Sequence, residues 1–153
     1  MVYKIPGVGD LELKTIILDL NGTLTVKGKI HGGVKERLTR LKELGYQILF
    51  FTGNTRNNAN EIADNLGINW ILAEDGNKKR DEALKLDPDT CVSIGNGLID
   101  LELMKVVKLR IVTIQAEGAH TQTLLNSDII IPSILDALDL LIDPATLVAT
   151  LRK

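Results

Sequence analysis

The sequence contains a single cysteine, Cys91, so no disulfide can form within the chain and a cysteine-based zinc site is nearly excluded. Aromatic residues make up only 3%, and 18 basic side chains are almost balanced by 20 acidic ones. This composition provides neither the positive field nor the stacking surfaces that nucleic-acid binding uses, and it does not favour a membrane surface. We therefore expect neither nucleic acid nor membrane as a partner.

Long apolar runs are also missing, because none approaches the roughly 18–20 residues that a membrane-spanning helix needs. The first ten residues lack the basic and apolar regions of a signal peptide, so we expect a soluble, cytoplasmic protein. The chain has 153 residues, of which 44% are apolar and 25% charged, as in ordinary globular proteins. This length favours one domain spanning residues 1–153.

Six short apolar runs recur along the chain, and most are continuous, which is typical of strands buried on both faces of a parallel sheet. They are Ile16–Leu18, Ile48–Phe51, Trp70–Leu72, Cys91–Ile94, Leu109–Ile114 and Ile129–Ile131. Segments of helical period lie between and after them. One predicted helix begins at Val34 and has its C-cap at Gly45, and a second ends at Leu66 before Gly67. The other predicted helices span Asp81–Leu86, Leu98–Val107, Ile134–Ile142 and Ala145–Leu151.

Strands that alternate with helices predict a three-layer, Rossmann-like α/β fold with a mainly parallel sheet. Ligands of such sheets bind beyond the carboxyl ends of the strands. The residues found there are Asp19 to Thr23 after the first run, Thr52, Gly53 and Asn54 after the second, and Gly95, Asn96, Gly97 and Asp100 after the fourth. Lys78 and Lys79 stand ahead of that fourth run, next to the predicted helix Asp81–Leu86.

These residue types suit phosphoryl transfer. An aspartate at a strand end can attack a phosphoryl group and become an aspartyl phosphate. A threonine hydroxyl and backbone amides can hold the phosphate oxygens, and a lysine can neutralise the charge that builds between nucleophile and phosphate. Carboxylate and amide oxygens suit Mg²⁺, which also accepts waters and substrate oxygens.

The order of these segments resembles the haloacid dehalogenase superfamily. The sequence DLNGTLT at Asp19–Thr25 resembles its first motif, and especially the form found in P-type ATPases. FFTGN at Phe50–Asn54, Lys79, and GNGLID at Gly95–Asp100 fall where the second, third and fourth motifs fall. The resemblance covers nearly the whole chain and is strongest for the small soluble proteins that resemble P-type ATPases.

The resemblance implies a role for each matching residue. Asp19 would be the nucleophile and an Mg²⁺ ligand, and the backbone carbonyl of Asn21 would be a second ligand. Thr52, with Gly53 and Asn54 beside it, would bind phosphate. Lys79 would neutralise charge, although the neighbouring Lys78 remains an alternative. Asn96 and Asp100 would hold the metal directly or through water.

Two residues depart from the family pattern. Most members have a second aspartate at the position of Asn21, where it protonates the leaving group and activates water, and an amide can do neither. P-type ATPases also lack it, and their phosphoenzyme persists. Asn96 stands where an aspartate is usual, which predicts weaker Mg²⁺ binding without abolishing it. The resemblance therefore implies a slow Mg²⁺-dependent phosphohydrolase or phosphotransferase.

The spacing of the motifs leaves no room for a cap domain. Asp19 and Thr52 are separated by a short hairpin at Val26–Ile30 and one helix, and Thr52 and Lys79 by one helix and one strand. We expect an open site with the hairpin as a small flap beside it. Such a site admits a small phosphorylated substrate or a phosphoprotein, or is closed by a second copy in a homo-oligomer.

Two other functions compete with phosphoryl transfer. The first is a non-catalytic module of the same fold that binds a phosphorylated ligand or partner protein, which Asn21 and Asn96 favour. The second is a receiver-type signalling domain. That domain needs its phosphate acceptor after the third strand, and Leu72–Glu74 offers no convincing one.

Overall fold

The computed structural model describes all residues from Met1 to Lys153. Its strands, in chain order, are β1 (Val2–Ile5), β2 (Gly9–Glu12), β3 (Thr15–Asp19), β4 (Thr25–Val26), β5 (Lys29–Ile30), β6 (Gln47–Thr52), β7 (Asn69–Leu72), β8 (Cys91–Gly95), β9 (Leu109–Thr113) and β10 (Ile129–Ile131). Its helices are α1 (Val34–Glu43), α2 (Ala59–Leu66), α3 (Gly76–Leu84), α4 (Leu101–Met104), α5 (Thr121–Leu125), α6 (Ile134–Ile142) and α7 (Pro144–Leu151). Two 3₁₀ turns occupy Pro88–Thr90 and Leu98–Asp100.

Six strands form one parallel sheet in the order β10-β9-β8-β3-β6-β7. The chain builds outward from β3 to β6 and β7, and then continues on the other side with β8, β9 and β10. The strand order therefore reverses at β3, which is the point where open α/β sheets bind ligands. The predicted fold class and all six predicted strands are confirmed, with the fifth strand ending at Thr113 instead of Ile114.

Both faces of the sheet are covered, because the central strands are apolar on both sides. Ile16 and Leu18 of β3 point into the larger core, which contains the apolar faces of α1, α2 and α6. Ile17, between them, points into a smaller core with Ala83 of α3 and Leu103 of α4. Cys91 is a buried member of this smaller core, so it serves there as an apolar filler.

Several helix boundaries differ from the prediction. Helix α1 ends at Glu43, one residue before its cap Leu44, and Gly45 follows with a φ of 99°. Helix α3 spans Gly76–Leu84 instead of Asp81–Leu86, because the carboxylate of Asp75 accepts the N–H of Lys78 and caps an earlier start. The helix predicted at Leu98–Val107 is a 3₁₀ turn followed by the short α4. Helix α7 begins at Pro144, one residue early.

Three elements were not predicted from the sequence. An antiparallel hairpin, β1–β2, precedes the sheet, and the short helix α5 follows the loop after β9. A 3₁₀ turn at Pro88–Thr90 precedes β8. The flap hairpin β4–β5 covers the predicted segment Val26–Ile30 and starts one residue earlier, at Thr25. No cap domain is inserted between the motif segments, as predicted. No helix of the chain has the length and apolar character needed to cross a bilayer.

Candidate active site

The carboxyl ends of β3, β6 and β8 meet at one edge of the sheet and line a cleft of about 240 Å³. Asp19 ends β3, Thr52 ends β6, and Asn96 follows β8. Parallel neighbours bring these ends together although they are far apart in sequence. The cleft is lined by Asp19, Asn21, Thr52, Gly53, Thr55, Glu74, Lys79, Asn96, Gly97 and Ile99.

A tight turn follows Asp19. The N–H of Gly22 donates to the carbonyl of Thr25 at 2.7 Å, and the N–H of Thr25 donates to Leu20 at 2.9 Å. Gly22 has a φ of +83°, and a Cβ on it would lie 2.5 Å from Nδ2 of Asn96. Only glycine fits this position, because both the backbone conformation and the neighbouring amide exclude a side chain. The close approach brings the turn and Asn96 to the same side of Asp19.

Lys79 joins the two buried carboxylates of the site. Its Nζ lies 2.8 Å from Oδ1 of Asp19 and 2.9 Å from Oδ1 of Asp100. All three side chains are almost fully buried. Lys78, one residue earlier, points outward and pairs with exposed Glu74 at 3.6 Å. Of the two lysines considered from the sequence, the structure therefore brings Lys79, and not Lys78, to the aspartate.

Burial and charge repulsion weaken the acidity of Asp19. Burial raises the pKa of Asp19, the nearby charge of Asp100 raises it further, and Lys79 lowers it in part, which leaves a pKa of about 7. Burial alone would lower the pKa of Lys79, but the two carboxylates outweigh it and raise that pKa. When all three groups are ionised, the cluster carries a net charge of −1. The site therefore holds an excess of buried negative charge that a cation would relieve.

Asp100 uses both carboxylate oxygens within the protein. Its Oδ1 accepts from Lys79, and its Oδ2 accepts the N–H groups of Asn96 and Gly97 at 3.1 Å each. The side chain therefore fixes the loop after β8 and the orientation of Lys79. Among the residues predicted to hold the metal, Asp100 is the one whose two side-chain oxygens both accept hydrogen bonds from protein donors.

The side chain of Asn96 has a defined orientation. Its Nδ2 donates to the carbonyl of Gly118 at 3.0 Å. Its Oδ1 lies 3.4 Å from Oγ1 of Thr23, which is also 3.4 Å from Oδ2 of Asp19. The amide oxygen of Asn96 therefore faces the aspartate side of the cleft, while the amide nitrogen faces the loop after β9.

The phosphate-binding segment predicted at the end of β6 lies only partly in the cleft. Thr52 and Gly53 line it, with Thr52 almost fully buried. Asn54 adopts a φ of 55°, its N–H donates to Oγ1 of Thr52, and its Oδ1 accepts the N–H of Ala59 at the start of α2. The side chain of Asn54 thus supports Thr52 and the helix, and it does not line the cleft.

Three residues of the site were given no role from the sequence. Thr23 is fully buried between Asp19 and Asn96, Glu74 lines the cleft, and Gln115 holds the turn after Asp19 from outside. Glu74 and Gln115 each stand two residues beyond a strand end, at β7 and β9. The rule that located Asp19 and Thr52 would also have located them, had it been applied to these strands.

The donor set fits a hard divalent cation. Asp19 offers a carboxylate, Asn96 an amide oxygen and Asn21 its backbone carbonyl, and oxygen ligands are those that Mg²⁺ prefers. The side-chain oxygen of Asn21 is buried without a hydrogen-bond partner. An acceptor of this kind can be satisfied by a water bound to such a cation. No cluster of three or more histidine, cysteine or acidic side chains is arranged as a metal site, so a cation beside Asp19 would also need neutral oxygen donors.

Comparisons with known proteins give a family match and several relatives. Residues 16–79 match the family of haloacid dehalogenase-like hydrolases. Over 135 residues the chain is 27% identical to a soluble P-type ATPase-like phosphatase of Methanocaldococcus jannaschii, which covers 85% of this chain and 50% of that protein. An uncharacterised protein of the same organism is 48% identical over 61 residues, or 40% of this chain and 66% of that protein. The chain thus spans half to about two thirds of these relatives.

Solved structures share the fold. A 3-deoxy-D-manno-octulosonate 8-phosphate phosphatase of Moraxella catarrhalis, in complex with magnesium and phosphate ions, superposes with a TM-score of 0.72 at 20% identity, covering 92% of this chain and 94% of that chain. A cobalt-bound deoxy-D-mannose-octulosonate 8-phosphate phosphatase from Haemophilus influenzae superposes with a TM-score of 0.72 at 14% identity, covering 89% of this chain and 90% of that chain. Residues 16–79 thus match the haloacid dehalogenase-like hydrolases, and the likeness to these solved structures shows the fold.

Proposed function

We propose that the chain is a Mg²⁺-dependent phosphatase or phosphotransferase that works through an aspartyl phosphate on Asp19. The observation that carries this proposal is the buried bridge from Lys79 to Asp19, at 2.8 Å, inside a cleft that Thr52 also lines. It brings a nucleophile, a fixed cation and a hydroxyl donor together where a phosphoryl group can enter. The relative named as a soluble P-type ATPase-like phosphatase supports the same chemistry.

In the first step, a carboxylate oxygen of Asp19 attacks phosphorus, and the bond from phosphorus to the leaving oxygen breaks. The leaving oxygen takes a proton from solvent, because Asn21 has none to give. Oδ1 of Asp19 is held by Lys79, whereas Oδ2 faces only the long contact with Thr23 and is available to attack. Lys79 offsets the charge of the phosphoryl oxygens, and the hydroxyl of Thr52 donates to one of them.

In the second step, water attacks the aspartyl phosphate, the bond to Asp19 breaks, and inorganic phosphate leaves. A phosphotransferase would use a substrate hydroxyl in place of water. General acid–base groups typically accelerate such steps by about 10²–10⁴-fold, and the amide of Asn21 cannot act as one. Breakdown of the phosphoenzyme is therefore the slow step, and turnover is low.

Asp19, the carbonyl of Asn21 and the amide oxygen of Asn96 would hold Mg²⁺, with Asp100 behind them through water. When bound, the ion neutralises charge on the phosphoryl oxygens and orients them. Without it, a dianionic phosphate would meet the net negative cluster of Asp19, Lys79 and Asp100. A requirement for Mg²⁺ follows from this charge balance.

The substrate class is a small phosphate ester. The cleft of about 240 Å³ suits a phosphoryl group and part of its leaving group. Relatives in fold act on a sugar-acid phosphate, as their names state, which supports a small substrate. A phosphoprotein or a second copy of the chain over the open cleft remains an alternative partner, because no cap domain covers the site.

A second candidate is a non-catalytic module that binds a phosphorylated ligand. Asn21 and Asn96 favour it, because each replaces a carboxylate with an amide at the reacting centre. The two candidates separate in one experiment, in which release of phosphate from a panel of phosphorylated metabolites is measured with Mg²⁺ and with a chelator. If the chain is an enzyme, phosphate is released only with Mg²⁺, and Asp19→Ala abolishes the release. If it is a binding module, no phosphate is released in either condition.

A further inference from the structure

Gln115 follows β9 and uses both ends of its side-chain amide. Its Nε2 donates to the carbonyls of Gly22 and Thr23, each at 3.0 Å, and its Oε1 accepts the N–H of Ile134, also at 3.0 Å. The donors hold the turn that follows Asp19, and the acceptor holds the first residue of α6. One half-buried side chain thus connects the turn after Asp19 to the start of α6.

The same loop braces the rest of the cleft. The carboxylate of Glu117 accepts the N–H of Lys27 in the flap at 3.0 Å. The carbonyl of Gly118 accepts Nδ2 of Asn96 at 3.0 Å, and the N–H of His120 donates to the carbonyl of Asn96 at 2.8 Å. The segment 115–120 lies outside every motif, yet it contacts three parts of the site. Gln115 is its contact with the turn that carries Asn21.

We infer that Gln115 is a positioning residue that fixes the turn Asn21–Thr23 relative to Asp19. The inference rests on the proposed function for its consequence in catalysis. Gly22 lies close to the side chain of Asn96, and the hydroxyl of Thr23 lies 3.4 Å from the carboxylate of Asp19. A small shift of the turn would therefore break the contact between Thr23 and Asp19 and move the Asn21 carbonyl. A misplacement of about 1 Å at a reacting centre can cost about 10²-fold in rate.

Position 115 needs a side-chain amide, because the carbonyls of Gly22 and Thr23 need a donor and the N–H of Ile134 needs an acceptor. Two substitutions therefore separate the two halves of the role. Gln115→Glu keeps the acceptor for α6 and sets a carboxylate oxygen against two carbonyls. Gln115→Lys keeps a donor for the turn and removes the acceptor for α6.

The experiment compares these two variants with wild type and with Gln47→Glu, a matched change at the opposite end of the sheet. Phosphoenzyme formation, Mg²⁺ affinity by calorimetry and the thermal unfolding midpoint are measured for each. We expect Gln115→Glu to slow phosphoenzyme formation by about 10²-fold and to weaken Mg²⁺ binding several-fold. We expect Gln115→Lys to lower the unfolding midpoint and to slow phosphoenzyme formation much less than Gln115→Glu does.

Either of two results overturns the inference. The first is a Gln115→Glu protein that forms the phosphoenzyme and binds Mg²⁺ as well as Gln47→Glu does. The second is equal loss of rate in both Gln115 variants in proportion to their loss of stability, which is what a purely structural role gives. If wild type itself forms no phosphoenzyme, the proposed function fails, and the Mg²⁺ titrations alone still decide whether Gln115 positions the turn.

Discussion

Nζ of Lys79 lies 2.8 Å from Oδ1 of Asp19, although 60 positions separate the two residues in the chain. The same Nζ contacts Asp100 at 2.9 Å, so one buried cation lies between two buried carboxylates. Burying three charges costs more free energy than their attraction commonly returns, so such a cluster is weak evidence for stability. Clusters of this kind, in a cleft and with a strongly shifted pKa, are typical of functional sites.

The first prediction concerns this bridge. Lys79→Met removes the cation and leaves two buried carboxylates side by side, which should lower the free energy of unfolding by about 3–5 kcal/mol without metal. Lys78→Met is the matched control, because Lys78 is exposed and makes only a surface ion pair with Glu74, and its effect should stay within about 0.5 kcal/mol. Urea denaturation in the presence of a chelator measures both. Equal effects of the two substitutions would show that the buried bridge does not form.

The second prediction concerns pH. The pKa of Asp19 is about 7 in the folded protein and near 3.8 when unperturbed, so between these values the folded chain holds a proton that the unfolded chain has lost. This contribution to stability is present at low pH and is lost as the pH rises through about 7. Asp19→Asn should remove this pH dependence. At pH values above 7 and without metal, it should raise the thermal unfolding midpoint by a few degrees.

Thermal melts from pH 5 to 8 without metal test the pH effect, with the exposed residue Asp64 changed to asparagine as the control. Asp64→Asn should keep the wild-type slope. A slope that is the same in wild type and in Asp19→Asn would exclude Asp19 as its source.

The third prediction concerns the missing acid–base group. Asn21→Asp places a carboxylate where the proposed mechanism lacks an acid–base group, so we expect faster steady-state turnover and a shorter phosphoenzyme lifetime, by up to about 10²-fold. Asp19→Ala in the same background should remain inactive. Asn21-Gly22 and Asn96-Gly97 are both Asn–Gly pairs, so intact mass must first exclude deamidation, which would mimic the variant. Unchanged turnover would favour the binding module.

The fourth prediction concerns the metal site. Asn96→Asp adds a carboxylate facing Asp19, so Mg²⁺ should bind more tightly by calorimetry. The same change places an oxygen against the carbonyl of Gly118, where Nδ2 of Asn96 now donates, and it adds negative charge to the cluster. We therefore expect a lower unfolding midpoint without metal and a larger rise of that midpoint on adding Mg²⁺. Weaker Mg²⁺ binding in the variant would remove Asn96 from the ligand set.

Much of the sheet could be predicted from the sequence, because the continuous apolar runs mark strands buried on both faces. Ile16–Leu18 and Cys91–Ile94 lie within strands found at those positions. The position of Asp19 at a strand end predicted the edge at which the cleft lies. The hairpin β1–β2 was missed because its short alternating strands carry no comparable apolar run.

Side-chain orientation could not be read from the pattern. The sequence did not decide whether Lys78 or Lys79 reaches Asp19, because neighbouring helix residues point in different directions. The start of α3 at Gly76 determines which of the two faces the sheet. Asn54 was expected to bind phosphate, but its left-handed backbone turns the side chain toward α2. Gln115 has no motif around it, and its role depends on contacts with residues about 90 positions earlier in the chain.

The central claim is that Asp19 becomes phosphorylated, and trapping the phosphoenzyme tests it most directly. The protein is mixed with a small activated phosphate donor and Mg²⁺, quenched in acid, and examined by intact mass and peptide mapping. The account predicts a hydroxylamine-sensitive phosphoryl group on Asp19 that persists because Asn21 cannot assist its hydrolysis, and no adduct in Asp19→Asn or with a chelator. An adduct on another residue, or none in wild type under any of these conditions, would contradict it.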